Sequence, residues 1–490
     1  MNTQTQPDET DETATGEGLQ RGLGQRQIEM IAIGGCIGTG LFLGSGKTIS
    51  QAGPGIILIY AVTGLMLYFL MRAMGELLLH DRKYKSFVDF SEDFLGPRAA
   101  YFVGWSYWFA WIVAAIAETI AITGYVAFWL PSLPAWVSAA ATIVILLLLN
   151  LWTVKAFGEM EFWLAIIKVV AIISLMVLGL WLTFSGYVSP DGDKAAVSNL
   201  WTYGGFFPHG VHGLLTGLQI TIFAFAGMEL IGTMMAEAKD PEKMIPSAIR
   251  KIPWRIMIFY VGTVTVLMMA TPWIHISPDK SPFVGMFALA GFASAAAIIN
   301  FVVTSSALSS CNSGVFATSR MLYGLAGLHK APAIFGKLSR HQVPTNAVLL
   351  AAVLMLGIGF AMTTTESMME AFQIIAAVSA LLFIFVWSMI LAVYIAYRRR
   401  LPQAHLASKF KMPFGRFMPY VILAFFGVVI YALTLGDDTR TALYILPMWF
   451  ALLAVLFWLQ TRNSPEYALA VAKFRRKVVD EKRAAREFRQ

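Results

Sequence analysis

The sequence predicts an all-α membrane protein of twelve transmembrane helices, built as a 5+5 inverted repeat with discontinuous helices 1 and 6 and two appended helices. Three observations predict it. The 490 residues are 57% hydrophobic and only 13% charged, about half the charged fraction of a soluble domain. Apolar runs recur along the whole chain, separated by short basic loops. Two of those runs, at Ile33–Gly40 and Phe223–Glu229, are interrupted at mid-depth by small residues. A mean hydropathy of +0.65 leaves an apolar surface that only lipid can solvate, which excludes a soluble multidomain enzyme.

A helix needs about 20 apolar residues to cross the hydrocarbon core. Residues 1–27 precede the first such run. They are polar and acidic (Asp8, Glu9, Asp11, Glu12, Glu17) and read as a disordered cytoplasmic tail with no signal-peptide core. Candidate spans follow near 28–50, 54–79, 98–130, 136–154 and 161–186, which make the first repeat (28–186). Those near 210–236, 253–274, 282–316, 345–362 and 368–397 make the second (210–397). Spans near 416–435 and 442–461 are appended, and 462–490 is a basic cytoplasmic tail, read as a solvated amphipathic surface helix. The runs at 98–130 and 282–316 are long enough for strong tilt. Barrel strands would alternate in short segments, so the spans are helical.

Orientation follows from the basic loops. One set holds Arg82, Lys83, Lys85 and Arg98, Lys155, Lys239 to Arg255, Lys330 to Arg340, and Arg398 to Arg416. The alternate loops hold Lys194, Lys280 and Arg440. The positive-inside rule then puts both termini in the cytoplasm, in agreement with an even number of spans in the cell membrane. The net charge of +8 is spent on this topology rather than gathered into a nucleic-acid face.

Other chemistries find little support. Cys36 and Cys311 lie inside apolar runs and read as packing residues, not a disulfide or zinc set. His80, His209, His212, His275, His329, His341 and His405 fall at loops or span ends, so no haem or metal cluster is expected, and no cofactor. Gly44-Ser45-Gly46-Lys47-Thr48 lacks the upstream glycine of a phosphate-binding loop. Energy is therefore expected from an ion gradient, with protons favoured over sodium because protonatable groups stand at depth.

The first break, Ile33-Gly34-Gly35-Cys36-Ile37-Gly38-Thr39-Gly40, carries four glycines. Glycine weakens a helix by up to about 1 kcal/mol each, although small residues also serve close helix packing. The second, Phe223-Ala224-Phe225-Ala226-Gly227-Met228-Glu229, stands at the corresponding place in the other half. Paired breaks point to a transporter with its site at the midplane. Each unwound turn presents N–H groups at one half-helix and carbonyls at the other, so two facing breaks form a receptor for a zwitterion.

Charge at bilayer depth needs a reason. Glu118 reads either as a helix–helix hydrogen-bond partner or as a carboxyl that carries a proton. Lys168 either snorkels to the cytoplasmic face, about two turns away, or is a buried amine that cycles its proton. Glu229 either stabilises the second break or gates the site.

Taken together, these residues resemble the bacterial amino-acid permeases of the amino acid–polyamine–organocation superfamily. The first-break run through Phe42 is similar to that family's signature, and so are Arg72-Ala73-Met74-Gly75-Glu76-Leu77, Phe157-Gly158-Glu159-Met160-Glu161-Phe162-Trp163 and Glu237-Ala238-Lys239-Asp240-Pro241-Glu242-Lys243. Asn312-Ser313-Gly314, Ser319-Arg320-Met321-Leu322-Tyr323 and Asp437-Asp438-Thr439-Arg440 add to it. Gly44–Ser50 and Lys280–Val284 bring the chain nearest to members that carry D-serine, D-alanine and glycine with protons. The resemblance implies that Gly38, Thr39 and Gly40, with Ile37 beside them, hold a substrate carboxylate. It implies that the carbonyls of Ile33, Phe223, Ala224 and Ala226 hold the amine. It also places Lys168 where some relatives have a coupling lysine, and Glu118 where several are acidic.

The expectation is proton-coupled import of small zwitterionic amino acids, by alternating access and without enzymatic chemistry. The alternative is a permease of the same fold for GABA, proline or asparagine. A channel would need a continuous polar pore, and a polytopic enzyme a catalytic constellation; the sequence shows neither.

Overall fold

A computed structural model describes residues 25–81, 83–189, 192–233, 240–289, 293–362 and 367–488. The tail at 1–24, Arg82, and Glu237 to Lys239 of one signature motif lie outside the described residues, as do the last residues expected in the sixth span. The described chain is helical, with one pairing of extended backbone between Val188 and Lys194.

The first expected span is three helices, α1 (Gln25–Gly34), α2 (Thr39–Phe42) and α3 (Gly44–Ala52). Gln25 to Gln27, inside the expected tail, are already helical, and tertiary contacts hold them. The Arg26 guanidinium lies 3.6 Å from the Phe162 ring centroid, and Gln27 donates to Glu159 at 2.8 Å. Next come α4 (Ile56–Leu78) and α5 (Phe87–Leu95), the latter started by a reciprocal capping box between Ser86 and Asp89. α6 (Pro97–Ala127) and α7 (Ala135–Asn150) follow.

α8 (Val154–Ser185) begins at Val154 rather than 161, capped by Thr153, whose hydroxyl accepts from Ala156 N at 3.3 Å. The polar residues Lys155, Glu159 and Glu161 hid this first part of the helix from hydropathy. α9 (Gly210–Gly217), α10 (Thr221–Ala224) and α11 (Leu230–Thr233) make up the broken sixth segment. The seventh runs from α12 (Pro241–Arg250) through α13 (Ile252–Arg255) and a π-helical turn at Ile256–Gly262 into α14 (Thr263–Ala270).

The run expected at 282–316 is helical over α15 (Pro282–Leu289) and α16 (Ala293–Gly327), on either side of residues outside the description, and α16 continues well past the expected end. Its added turns contain Ser319 and Arg320, both buried, with Arg320 donating to Ser319 at 2.9 Å and stacked 3.6 Å over the Phe316 ring. Such pairing lets polar residues extend a buried helix. The remaining helices are α17 (Thr345–Met362), α18 (Met368–Arg400), α19 (Pro402–Ala407), α20 (Met418–Leu433), α21 (Asp437–Thr461) and α22 (Pro465–Glu487).

Among the described residues, seven helical stretches are long and apolar enough to cross a membrane, and α7, α17 and α20 are shorter apolar helices. α6 is the hub, packed between α16 and α18 and buried on nearly every side. α8 has two faces. Phe157, Glu161, Ala165, Lys168, Ile172 and Leu175 point inward, whereas Trp163, Val170, Val177, Trp181 and Phe184 are exposed, the last by 75%. An outward stripe this apolar is what lipid solvates and water does not. α22 is a helix as expected, but one of its faces is docked. Lys477 pairs with Asp93 at 2.9 Å, Arg400 donates to Glu481 at 2.6 Å, and Phe474 covers Gly96.

Candidate functional site

The site is built where the chain stops being helical. α1 ends at Gly34, and three carbonyls of the break, those of Gly34, Cys36 and Ile37, are each taken by a side chain from another helix. Lys168 Nζ of α8 donates to Gly34 O at 2.6 Å, and Ser306 of α16 to Ile37 O at 2.8 Å. The Tyr260 hydroxyl, on the π-helical turn, lies 2.6 Å from Cys36 O and 2.8 Å from Ala224 O, so its proton serves both breaks. A buried carbonyl without a donor costs about 1–3 kcal/mol, so these three side chains hold the turn open against re-forming helix.

On the amide side, Thr39 N donates to both carboxylate oxygens of Glu118, at 3.3 and 3.2 Å. Gly38 lies so close to Glu118 Oε1 and Ser310 Oγ that any Cβ there would collide with them. The Thr39 hydroxyl is buried beside the same carboxylate.

The second break is held by Glu229. Its Oε2 accepts from Gly227 N at 3.1 Å, and its Oε1 accepts from Trp111 Nε1 at 3.2 Å and Tyr107 OH at 3.4 Å. Gly227 has φ of 101°, and a Cβ on it would stand 2.5 Å from Gly35 O. The two breaks are thus in contact, and only glycine fits between them.

Gly38 and Gly40 of the first break, Phe223, Ala224 and Ala226 of the second, and Glu118, Trp111 and Ser310 line one small cavity. The space open to the centre of a water molecule is about 10 Å³, room for one water. The arrangement is closed.

Most sequence-predicted residues therefore converge. Ile33 sits one residue before the end of α1, and Ile37 is buried at the turn. Glu118 and Lys168 reach the first break from opposite partners, its amide and its carbonyl. The snorkelling alternative for Lys168 fails: it is 0% exposed, and the earlier start of α8 puts it about four turns from the helix end. Glu229 sits at the second break and satisfies its backbone. The Ala224 carbonyl, expected to face an amine, is engaged by Tyr260, and Phe223 O accepts from Ala226 N at 3.1 Å.

Several residues were not foreseen. Glu161, one turn-pair before Lys168 on the inward stripe of α8, accepts from Ser309 at 2.6 Å and Asn312 at 2.8 Å, and Asn312 in turn accepts from Asn150 at 2.7 Å. This polar seam joins α7, α8 and α16, and the helical spacing of Glu161 and Lys168 was the signal for it. Ser306 and Ser310 are likewise spaced to share one face of α16. Tyr260 and Arg255 carried no such signal.

Comparison with known proteins identifies the family. The family described as "Amino acid permease" matches residues 27–469. The chain is 53% identical to the D-serine/D-alanine/glycine transporter of Escherichia coli K12, over 92% of this chain and 95% of that one. It is 46% identical to the amino-acid permease AapA of Bacillus subtilis, over 91% and 96%. It is 40% identical to the aromatic amino acid transport protein AroP of Escherichia coli O6:H1, over 90% and 95%. A match across nearly the whole chain, on helices that meet in two facing breaks, makes this protein a member of the amino acid permease family.

Proposed function

We propose that the protein imports small zwitterionic amino acids, glycine, D-alanine and D-serine, together with protons. It does so by alternating access through twelve spans, a 5+5 inverted repeat and two appended helices, with both termini cytoplasmic. The observation that carries the reading is the hydrogen bond from the Thr39 amide to Glu118. A substrate carboxylate belongs at the amides of α2, and the Thr39 amide is occupied by Glu118.

Two carboxylates at one amide repel each other. A substrate therefore enters this place only when Glu118 is protonated and gives up the N–H, and the proton travels with the substrate. The substrate amine then takes the free lone pairs of the carbonyls of Ile33, Phe223, Ala224 and Ala226, while Ile37, Gly38, Thr39 and Gly40 surround the carboxylate. Lys168 ties the end of α1 to α8, and a change in its protonation loosens or tightens that tie. Glu229 and Tyr260 keep the second break in shape while α1 moves. The 53% identity to a protein named for D-serine, D-alanine and glycine supports this class of substrate.

Purified protein in liposomes is expected to accumulate glycine or D-alanine when the medium is made acid relative to the lumen, and a protonophore abolishes accumulation. A panel of amino acids in both L and D forms sets the specificity, with GABA, proline and asparagine as the competing substrates. Accumulation that persists with the pH gradient collapsed and sodium supplied refutes proton coupling.

A further inference from the structure

A second cavity adjoins the first on the other side of Cys36, which lines both. It is bounded by Cys36 and Ile37 of the first break, Met228 of the second, and Arg255, Phe259 and Tyr260 of the seventh helical segment. It also admits about one water, with 10 Å³ open to water centres.

Arg255 is 9% exposed, and its Nε and Nη2 are buried with no hydrogen-bond partner among the described residues. A guanidinium stays charged under all physiological conditions, and burying it unpaired is costly unless an anion or water completes it. Its place in the chain gives the direction. Arg255 is one turn beyond Lys251, which pairs with Glu29 at 2.6 Å, so it lies between the break and the basic-loop side of the molecule. Glu29 is held by Lys251 and by Ser247 at 2.9 Å, and its charge also acts on the Arg255 guanidinium without a hydrogen bond to Nε or Nη2.

We infer that the Arg255 cavity is a second carboxylate subsite, where the carboxylate of the transported amino acid is held after it leaves the Thr39 amide and before it reaches the basic-loop side. This rests on the proposed transport of amino acids and adds a stage to it. Arg255 presents two unused N–H vectors, the geometry that matches a carboxylate. Tyr260 borders the subsite and holds both breaks, so opening toward the basic side and exposing Arg255 are one motion.

The test compares the two faces of the full-length protein in liposomes of defined orientation. With Arg255→Gln, the KM for glycine presented from the basic-loop side rises about tenfold or more, the loss of a hydrogen bond to a charged group. The KM from the opposite side stays within about twofold. Arg255→Lys, which keeps the charge and loses the fork, gives a smaller shift on the same side only. On the unaltered protein, acetate, a carboxylate without an amine, inhibits from the basic side and not from the other. Equal changes from both sides, or none, overturn the proposal, as does acetate acting equally from either side. If Glu29→Gln reproduces the Arg255→Gln defect, Arg255 is a latch for Glu29 and the subsite falls. Failure of the unaltered protein to move any amino acid from either side refutes the transport reading instead.

Discussion

Replacing Glu118 by Gln separates the substrate from the proton. In the closed arrangement one N–H, that of Thr39, is shared by both carboxylate oxygens at 3.3 and 3.2 Å. A hydrogen bond to a charged group contributes about 1.5–3 kcal/mol, so a substrate that displaces an ionised Glu118 forfeits roughly a ten- to hundredfold in affinity. A protonated Glu118 gives up the amide without that loss. Raising the pH ionises Glu118, so glycine binding to the unaltered protein weakens with pH, approaching about tenfold per pH unit for one linked proton. Glutamine keeps the shape and never ionises. The Glu118→Gln protein is therefore expected to bind glycine with an affinity that is flat in pH and, on the alkaline side, tighter than that of the unaltered protein. Equilibrium binding of labelled glycine across pH measures this, with counterflow and gradient-driven accumulation on the same preparation. Counterflow survives and accumulation is lost. A Gln variant that keeps the unaltered pH slope, or that still accumulates glycine against a gradient, refutes the competition at Thr39.

Lys168→Met removes the side-chain donor to Gly34 O, which then keeps only Ile37 N at 3.2 Å, so thermal unfolding should show a loss of about 0.5–3 kcal/mol and gradient-driven accumulation should fall to background. Tyr260→Phe removes one hydroxyl from both Cys36 O and Ala224 O; a similar stability loss with slowed counterflow is expected, and unchanged counterflow would show that the two breaks do not need this bridge. Gly227→Ala forces a Cβ into Gly35 O at a φ of 101°, with about 1–3 kcal/mol of backbone strain before the clash is counted. Its folded yield on size exclusion should drop well below that of Gly285→Ala, where a Cβ meets open space.

The elements whose physics is local were legible in the sequence. Crossing a bilayer demands long apolar helices, and the helical reading of nearly every run holds because hydropathy and periodicity act within each run. The two breaks were legible because glycine weakens a helix wherever it stands. Helix ends were less so. α1 already includes Arg26 and Gln27, which Phe162 and Glu159 hold, and α8 begins early because polar residues continue a helix that hydropathy cannot see.

The sequence by itself placed Glu118, Lys168 and Glu229 inside apolar runs, where each needs a partner, since buried charge is too costly to leave alone. Only the tertiary structure decided who the partners are. Lys168 finds a carbonyl rather than the membrane surface, Glu229 a backbone amide of its own break, and Glu118 the Thr39 amide that a substrate would also seek. The side chains that close the remaining bonds, Tyr260, Ser306 and Glu161, come from helices far away in the chain. A pattern along one helix records which face is buried. Which backbone group waits opposite that face is set by packing between helices, and no single helix encodes it.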